Sequence, residues 1–186
     1  MTRASRLGLD TRTIGAGALT AADAAGVALL LAGRFEQDVA VVQRLHHCRQ
    51  APALLGAVAA GLPAFGQQLG SAAEGVLGPV QWWPTTRAPQ VGCSGADFVT
   101  GYQRRTGREP SYVAAQAAAA GHLAHAAYRL GLAAEAVRQW TTSTLLGDFA
   151  MDAAWRQVGH RVTTVRWEGG RMVPIIPGQA GADSSD

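Results

Sequence analysis

The run at residues 27–33, VALLLAG, constrains the fold more than any other part of this chain. It is apolar at every position, not at alternate ones, and it is far too short to cross a bilayer. A run of this length suits a strand buried on both faces, as in a parallel sheet. Its neighbours fit that reading. Residues 37–50 carry Val41, Val42, Leu45 and Cys48 at helical spacing with Asp38 near the start, and Pro52 stops the helix. Residues 53–56 (ALLG) form a second short strand, residues 63–69 a helix closed by Gly70, and residues 75–80 (GVLGPV) a further extended piece. A short strand is also expected at residues 12–15. Strand, helix, strand, helix, strand is the order of a right-handed crossover sheet.

The middle of the chain is helical. Ser94 followed by Asp97 gives a capping-box pattern, Phe98, Val99 and Tyr102 give the next helix its apolar side, and Gly107 with Pro110 ends it. Residues 112–130 are rich in Ala and have high helix propensity, with side chains small enough for another backbone to approach closely. Residues 133–140 continue as a shorter helix. The end is extended again: a strand is expected at residues 145–151, and residues 162–167 and 172–176 form a hairpin about Glu168-Gly169-Gly170-Arg171. Pro174 inside the last strand predicts an edge position. Residues 178–186 are small and polar and are expected to fray.

The formal charge is +3, and all 16 basic residues are Arg. They are scattered, with only Arg104, Arg105 and Arg108 close together. A phosphate-binding face needs its cations concentrated, so no nucleic-acid partner is expected. Cys48 and Cys93 allow one disulfide but imply no framework, and the helical spacing predicts that Cys48 is buried. Residues 1–10 lack the apolar core of a secretory signal.

Three ordered stretches carry a family resemblance. The first is Leu30-Leu31-Ala32-Gly33-Arg34-Phe35, leading to Leu54-Leu55-Gly56. The second is Glu74-Gly75-Val76-Leu77-Gly78-Pro79-Val80-Gln81-Trp82, then Phe98, Tyr102 and the run from Gly107 through Arg108-Glu109-Pro110-Ser111-Tyr112 to Gln116. The third is Leu145-Leu146-Gly147-Asp148-Phe149, Gln157-Val158-Gly159-His160-Arg161 and the closing Arg166-Trp167-Glu168-Gly169-Gly170. In order and spacing the chain resembles the type I periplasmic binding proteins, the leucine/isoleucine/valine-binding substrate-binding proteins of ABC transporters.

That resemblance implies an α/β fold of two lobes, each a Rossmann-like parallel sheet with helices on both faces. Solute would sit between them at the carboxyl ends of the strands. Residues 1–79 resemble a βαβ portion of the second lobe, and residues 80–144 a crossing segment and first-lobe helices. Residues 145–177 resemble the return crossing and terminal β-hairpin. The N-terminal sheet of the first lobe and an export signal have no counterpart, so a truncated version of the fold is expected. The helices at Phe98 and Tyr112 would then expose apolar surface. The function implied is solute capture for an ABC importer of amino acids, amides or related small organic solutes; the partners implied are that small-molecule solute and the membrane permease, the location periplasmic. Self-association through the exposed helices is a further expectation.

The candidate solute-binding residues follow from the same resemblance. Arg34 and Phe35 end the first strand where the family faces its cleft. An arginine there can hold a carboxylate in a two-pronged pair and an aromatic can cover an apolar solute. Alternatively, Phe35 packs locally and Arg34 is solvated. Val58 falls where amino-acid-binding relatives carry a glutamate for the solute's ammonium group. A valine leaves that ammonium unpaired, which points to an amide, a carboxylate or an aromatic acid, or to no ligand. Tyr112 matches an aromatic that reaches the cleft, with Gln116 one turn later on the same face, or it simply staples the helix start. Gln81 and Trp82 lie on the crossing segment, beside Trp83, where tryptophans either contact solute or pack a hinge.

An enzymatic reading rests on histidines. His46 and His47 are adjacent on a helix and point apart, and His122 and His125 share a face but lack a spaced third ligand. No nucleophile elbow, phosphate loop or paired-carboxylate pattern is present, and Gly15-Ala16-Gly17 lacks the rest of a dinucleotide fingerprint. The expectation is a non-enzyme that uses no cofactor and no metal. Besides solute capture, two readings stay open: a non-binding remnant or half-module that needs a partner chain, and the ligand-sensing domain of a receptor.

Overall fold

The structure is a computed structural model that describes residues 10, 12–15, 17–48 and 52–175. The expected fray at residues 178–186 lies outside the described residues. Two compact units are present: residues 1–79 with 164–186, and residues 80–163.

The first unit is built on a five-stranded sheet. Its strands are β1 (Ala28–Leu31), β2 (Leu54–Ala57), β3 (Leu77–Val80), β6 (Thr163–Glu168) and β7 (Arg171–Pro174), adjacent in that order. β1, β2 and β3 run parallel, with Leu30 opposite Gly56 and Gly56 opposite Leu77. β6 and β7 form the expected antiparallel hairpin, turning through Gly169 and Gly170, both with positive φ. Pro174 lies on the outer strand, where a missing N–H breaks no ladder.

The intervening helices are α1 (Ala21–Ala24), α2 (Phe35–His47) and α3 (Pro63–Leu69). Thr20 caps α1 through Asp23, and Pro63 opens α3 at a position that needs no N–H. Val39 and Val42 of α2 meet Phe65 and Leu69 of α3, Val76, and Trp167 of β6 in one core. Val41 and Leu45 join Leu19 and Ala24 in a second, floored by Leu29, Leu31 and Leu55. All of these contacts use one face of the sheet. Alternation along the strands sends Leu30, Leu54, Leu77 and Arg166 to the other face. There Leu30 is 75% exposed, Leu54 and Arg166 are exposed, and no described helix covers them.

The second unit contains α4 (Gly95–Thr106), α5 (Tyr112–Arg129), α6 (Ala134–Gln139) and a small hairpin, β4 (Thr142–Thr144) and β5 (Gly147–Phe149). Ser94 caps α4 by accepting from Asp97 N–H at 3.1 Å, and Gly107 ends it in the left-handed conformation. Only Ala115 and Ala119 of α5 are buried, beside Leu145, while Val113 and Tyr128 are exposed.

Four local expectations are corrected. Residues 12–15 form no strand; Ile14 packs on the second core as a coil. The strand expected at residues 145–151 is instead a turn and a short strand, because Gly147 with φ of +101° folds the chain back from β4 to β5. Cys48 is exposed, since α2 ends at His47 and Cys48 caps it outside the apolar face. Described helices cover only one face of the sheet where both were expected.

Two glycines offer a paired stability test. Gly66 lies under the indole of Trp167, and a Cβ there would fall 2.0 Å from a ring carbon. At Gly101, inside α4, the place a Cβ would occupy has no neighbour within 4 Å. Gly66→Ala is therefore expected to lower the urea midpoint by the equivalent of about 1–3 kcal/mol through overpacking. Gly101→Ala should raise it by roughly 0.5–1 kcal/mol through helix propensity.

Candidate functional site

In parallel α/β sheets the loops at the carboxyl ends of the strands are the ones free to meet a ligand. In the first unit these are the loop after β1, which carries Gly33, Arg34 and Phe35, and the 3₁₀ turn Val58–Gly61 after β2. Arg34 stands at the N-cap of α2 with its side chain exposed, and its N–H donates to the Gln37 side chain at 3.1 Å. Phe35 begins α2 and turns inward, packing against the core of Val39, Val42 and Phe65. That is the local-packing alternative for this residue. Val58 is 55% exposed at the head of its turn.

Beneath these two loops lies a residue that spacing alone did not single out. Asp38, in the first turns of α2, is 2% exposed. Its Oδ1 accepts from Gly33 N–H at 2.9 Å and its Oδ2 from Ala59 N–H at 3.3 Å. A buried carboxylate needs such partners, and here both come from backbone. The sequence signal was available: an acid inside the apolar side of a helix, following a strand that ends in glycine. The turn after β2 is held from a second direction, because the Trp167 indole N–H donates to Ala60 O at 2.8 Å. Gly78 also lies so close that a Cβ would fall 2.4 Å from the Ala60 carbonyl carbon.

The other candidates belong to the second unit. Trp82 stacks edge-on against Phe98 with ring centroids 6.0 Å apart, and its indole N–H donates to Leu145 O at 3.1 Å. That arrangement packs the unit. Gln81 is exposed, Tyr112 is 43% exposed at the start of α5, and Gln116 is exposed one turn later. Ser111, not Tyr112, caps that helix, accepting from Ala114 N–H at 3.3 Å.

A hollow of about 690 Å³ opens at the opposite, amino ends of β2 and β3, lined among others by Leu45, His46, Leu54, Val76 and Arg166. Arg166 is held by Glu168 at 3.2 Å, and Glu74 accepts from Gly169 N–H. Both charged groups are thus engaged within the protein, and neither Arg34 nor Val58 lines the hollow. It is distinct from the candidate site.

Among the described residues no group of three or more His, Cys, Asp or Glu gathers as a metal site, and no helix is long and apolar enough to cross a membrane. Asp23, Glu135 and Asp152 are held below the ordinary carboxylate range. Asp152 is lowered by the Arg156 backbone N–H and side chain, and Asp23 by the Thr20 hydroxyl and N–H.

No family model and no curated protein matches the sequence. Solved structures do match the fold. A leucine-binding protein LivK from Thermotoga maritima aligns with TM-score 0.62 at 19% identity, over 80% of this chain and 43% of that one. A putative branched-chain amino acid ABC transporter protein from Rhodospirillum rubrum aligns with TM-score 0.63 at 22% identity, over 80% and 44%. LivJ from Streptococcus pneumoniae, in complex with isoleucine, aligns with TM-score 0.60 at 16% identity, over 80% and 44%. The chain shares the fold of part of these type I periplasmic binding proteins and spans less than half their length.

Two outcomes test the local chemistry. Trp82→Phe keeps the aromatic contact but leaves the Leu145 carbonyl without its donor, so the second unit should lose about 1 kcal/mol, read as a shifted urea midpoint. The Asp152 turn contributes stability that is present above the ordinary carboxylate pKa and is lost as pH falls through its lowered value. The Arg156 amide resonance should therefore titrate below the range of a free aspartate, and Asp152→Asn should abolish that titration.

Proposed function

We propose that this chain provides one wall of a solute-binding protein serving an ABC-type importer, and that its solute is a small organic acid or amide, not a free amino acid. The observation that carries this reading is that Arg34 and Val58, both exposed, follow the carboxyl ends of neighbouring strands. One offers a guanidinium for a carboxylate, and the other an apolar contact where an ammonium group would find no partner. The fold shared with leucine- and branched-chain-binding proteins supports the solute-binding role. In this reading the first unit corresponds to the second lobe. The helices of the second unit, with Gln81, Trp82, Tyr112 and Gln116, correspond to part of the first lobe and its crossing segment. Capture would work by burial of solute and docking on a permease in the periplasm, without chemistry and without a cofactor.

A second reading is favoured by one specific observation. α5 buries two residues of eighteen and leaves Tyr128 84% exposed, an unusual state for an Ala-rich helix. A half-module that pairs with a further chain, or with its own copy, through this helix accounts for it.

Calorimetry decides between binding and no binding. Benzoate or 4-methylpentanamide, an amide without an amino group, is expected to bind the purified chain and L-leucine to bind more weakly, with Arg34→Ala lowering benzoate affinity about tenfold. Heat signals from none of the three would overturn the solute reading. Light scattering tests the second: a monomer near 19.3 kDa would dismiss self-pairing.

A further inference from the structure

We propose that Asp38 is a positioning residue that couples the two loops of the candidate wall, fixing the loop bearing Arg34 to the turn bearing Val58. The solute consequence of this inference rests on the reading above, whereas the coupling itself does not.

The argument starts from the two carboxylate oxygens. Each is taken by a different loop: Oδ1 by Gly33 N–H, immediately before Arg34, and Oδ2 by Ala59 N–H, immediately after Val58. Asp38 and Ala59 are 21 residues apart, and the two loops sit at the ends of adjacent parallel strands, so one rigid side chain spans what the chain does not connect locally. Gly33 fits this role because it has no side chain. A Cβ there would fall 2.9 Å from Asp38 Oδ1 and 3.1 Å from the Gln37 amide oxygen.

The turn after β2 is the fixed member of the pair. Trp167 holds Ala60 O at 2.8 Å, Gly78 packs against the backbone at residues 60–61, and Ala59 and Ala60 are buried. The loop after β1 has Asp38 and Gln37 as its side-chain anchors to α2. Asp38 therefore transmits the fixed turn to the Arg34 loop and sets where the guanidinium starts from. Precise placement of a binding group by a buried supporting residue is what gives a site its selectivity. An asparagine has one acceptor oxygen and one NH₂, so it can hold one loop and must face the other with a donor. Alanine holds neither.

Amide exchange on the full chain tests the coupling, with Asp38→Asn and Asp38→Ala compared with the unmodified protein. In Asp38→Ala, Gly33 and Ala59 amides are both expected to exchange about tenfold faster, with the β1–β2 ladder amides unchanged. In Asp38→Asn, one of the two should be released and the other kept. If Asp38→Ala fails to fold, the Asn variant decides alone. Unchanged exchange at both amides, or faster exchange throughout the sheet, overturns the coupling. The second arm measures benzoate against phenylacetate in calorimetry at a temperature where both proteins are folded. A positioning role changes the preference between the two acids by about threefold or more in Asp38→Asn, and a constant preference overturns that role. If neither acid binds the unmodified chain, an acid as the solute is ruled out, while the exchange data still decide the coupling.

Discussion

Trp167 comes from the last strand pair of the chain into a core laid down by residues 39–76, and the sheet of the first unit depends on that insertion. The indole is 5% exposed, packs against Phe65 with centroids 6.3 Å apart and over Gly66, and donates to Ala60 O. One side chain thereby supplies apolar area, an aromatic contact and the partner of a buried carbonyl. Beside it, Gly75 N–H reaches Trp167 O and Trp167 N–H reaches Val76 O. The hairpin thus joins the parallel strands through backbone and side chain at the same residue.

This arrangement also explains why the turn after β2 can be short and still well defined. A 3₁₀ turn of small residues has little area of its own to bury. It is held instead by groups from elsewhere: the indole from the far end of the chain, the carboxylate of Asp38 from α2, and the close backbone approach that Gly78 permits. Val58 is exposed on a turn whose next two residues are fully enclosed. An exposed residue on a fixed base is the local condition for recognition without a large ordering cost.

The sequence showed some of this and hid the rest, for physical reasons. Pro63 and Gly70 bracketed α3 correctly because each restricts the backbone by itself. Ser94, Asp97 and Gly107 likewise marked both ends of α4 through capping chemistry local to the helix. Local rules failed where a distant contact or a single glycine conformation decided the outcome. The apolar pair Leu145-Leu146 looked like the start of a strand, yet it forms the turn of a hairpin closed by Gly147. Phe35 looked equally able to face a ligand or the core, and only the packing of α2 on the sheet sends it inward. Asp38 was visible as an acid near a helix start, but its two acceptors serve loops that come together only in the folded sheet.

The uncovered face of the sheet has a consequence for how this molecule behaves among its own kind. Among the described residues β1 is an outer strand of four apolar residues, without charge, proline or bulge, and Leu30 stands on it in contact with water. Natural sheets usually blunt such a border with lysine, proline or a twist. Among the described residues this strand carries no such guard, so its outward backbone groups are of the kind that can pair with an extended segment.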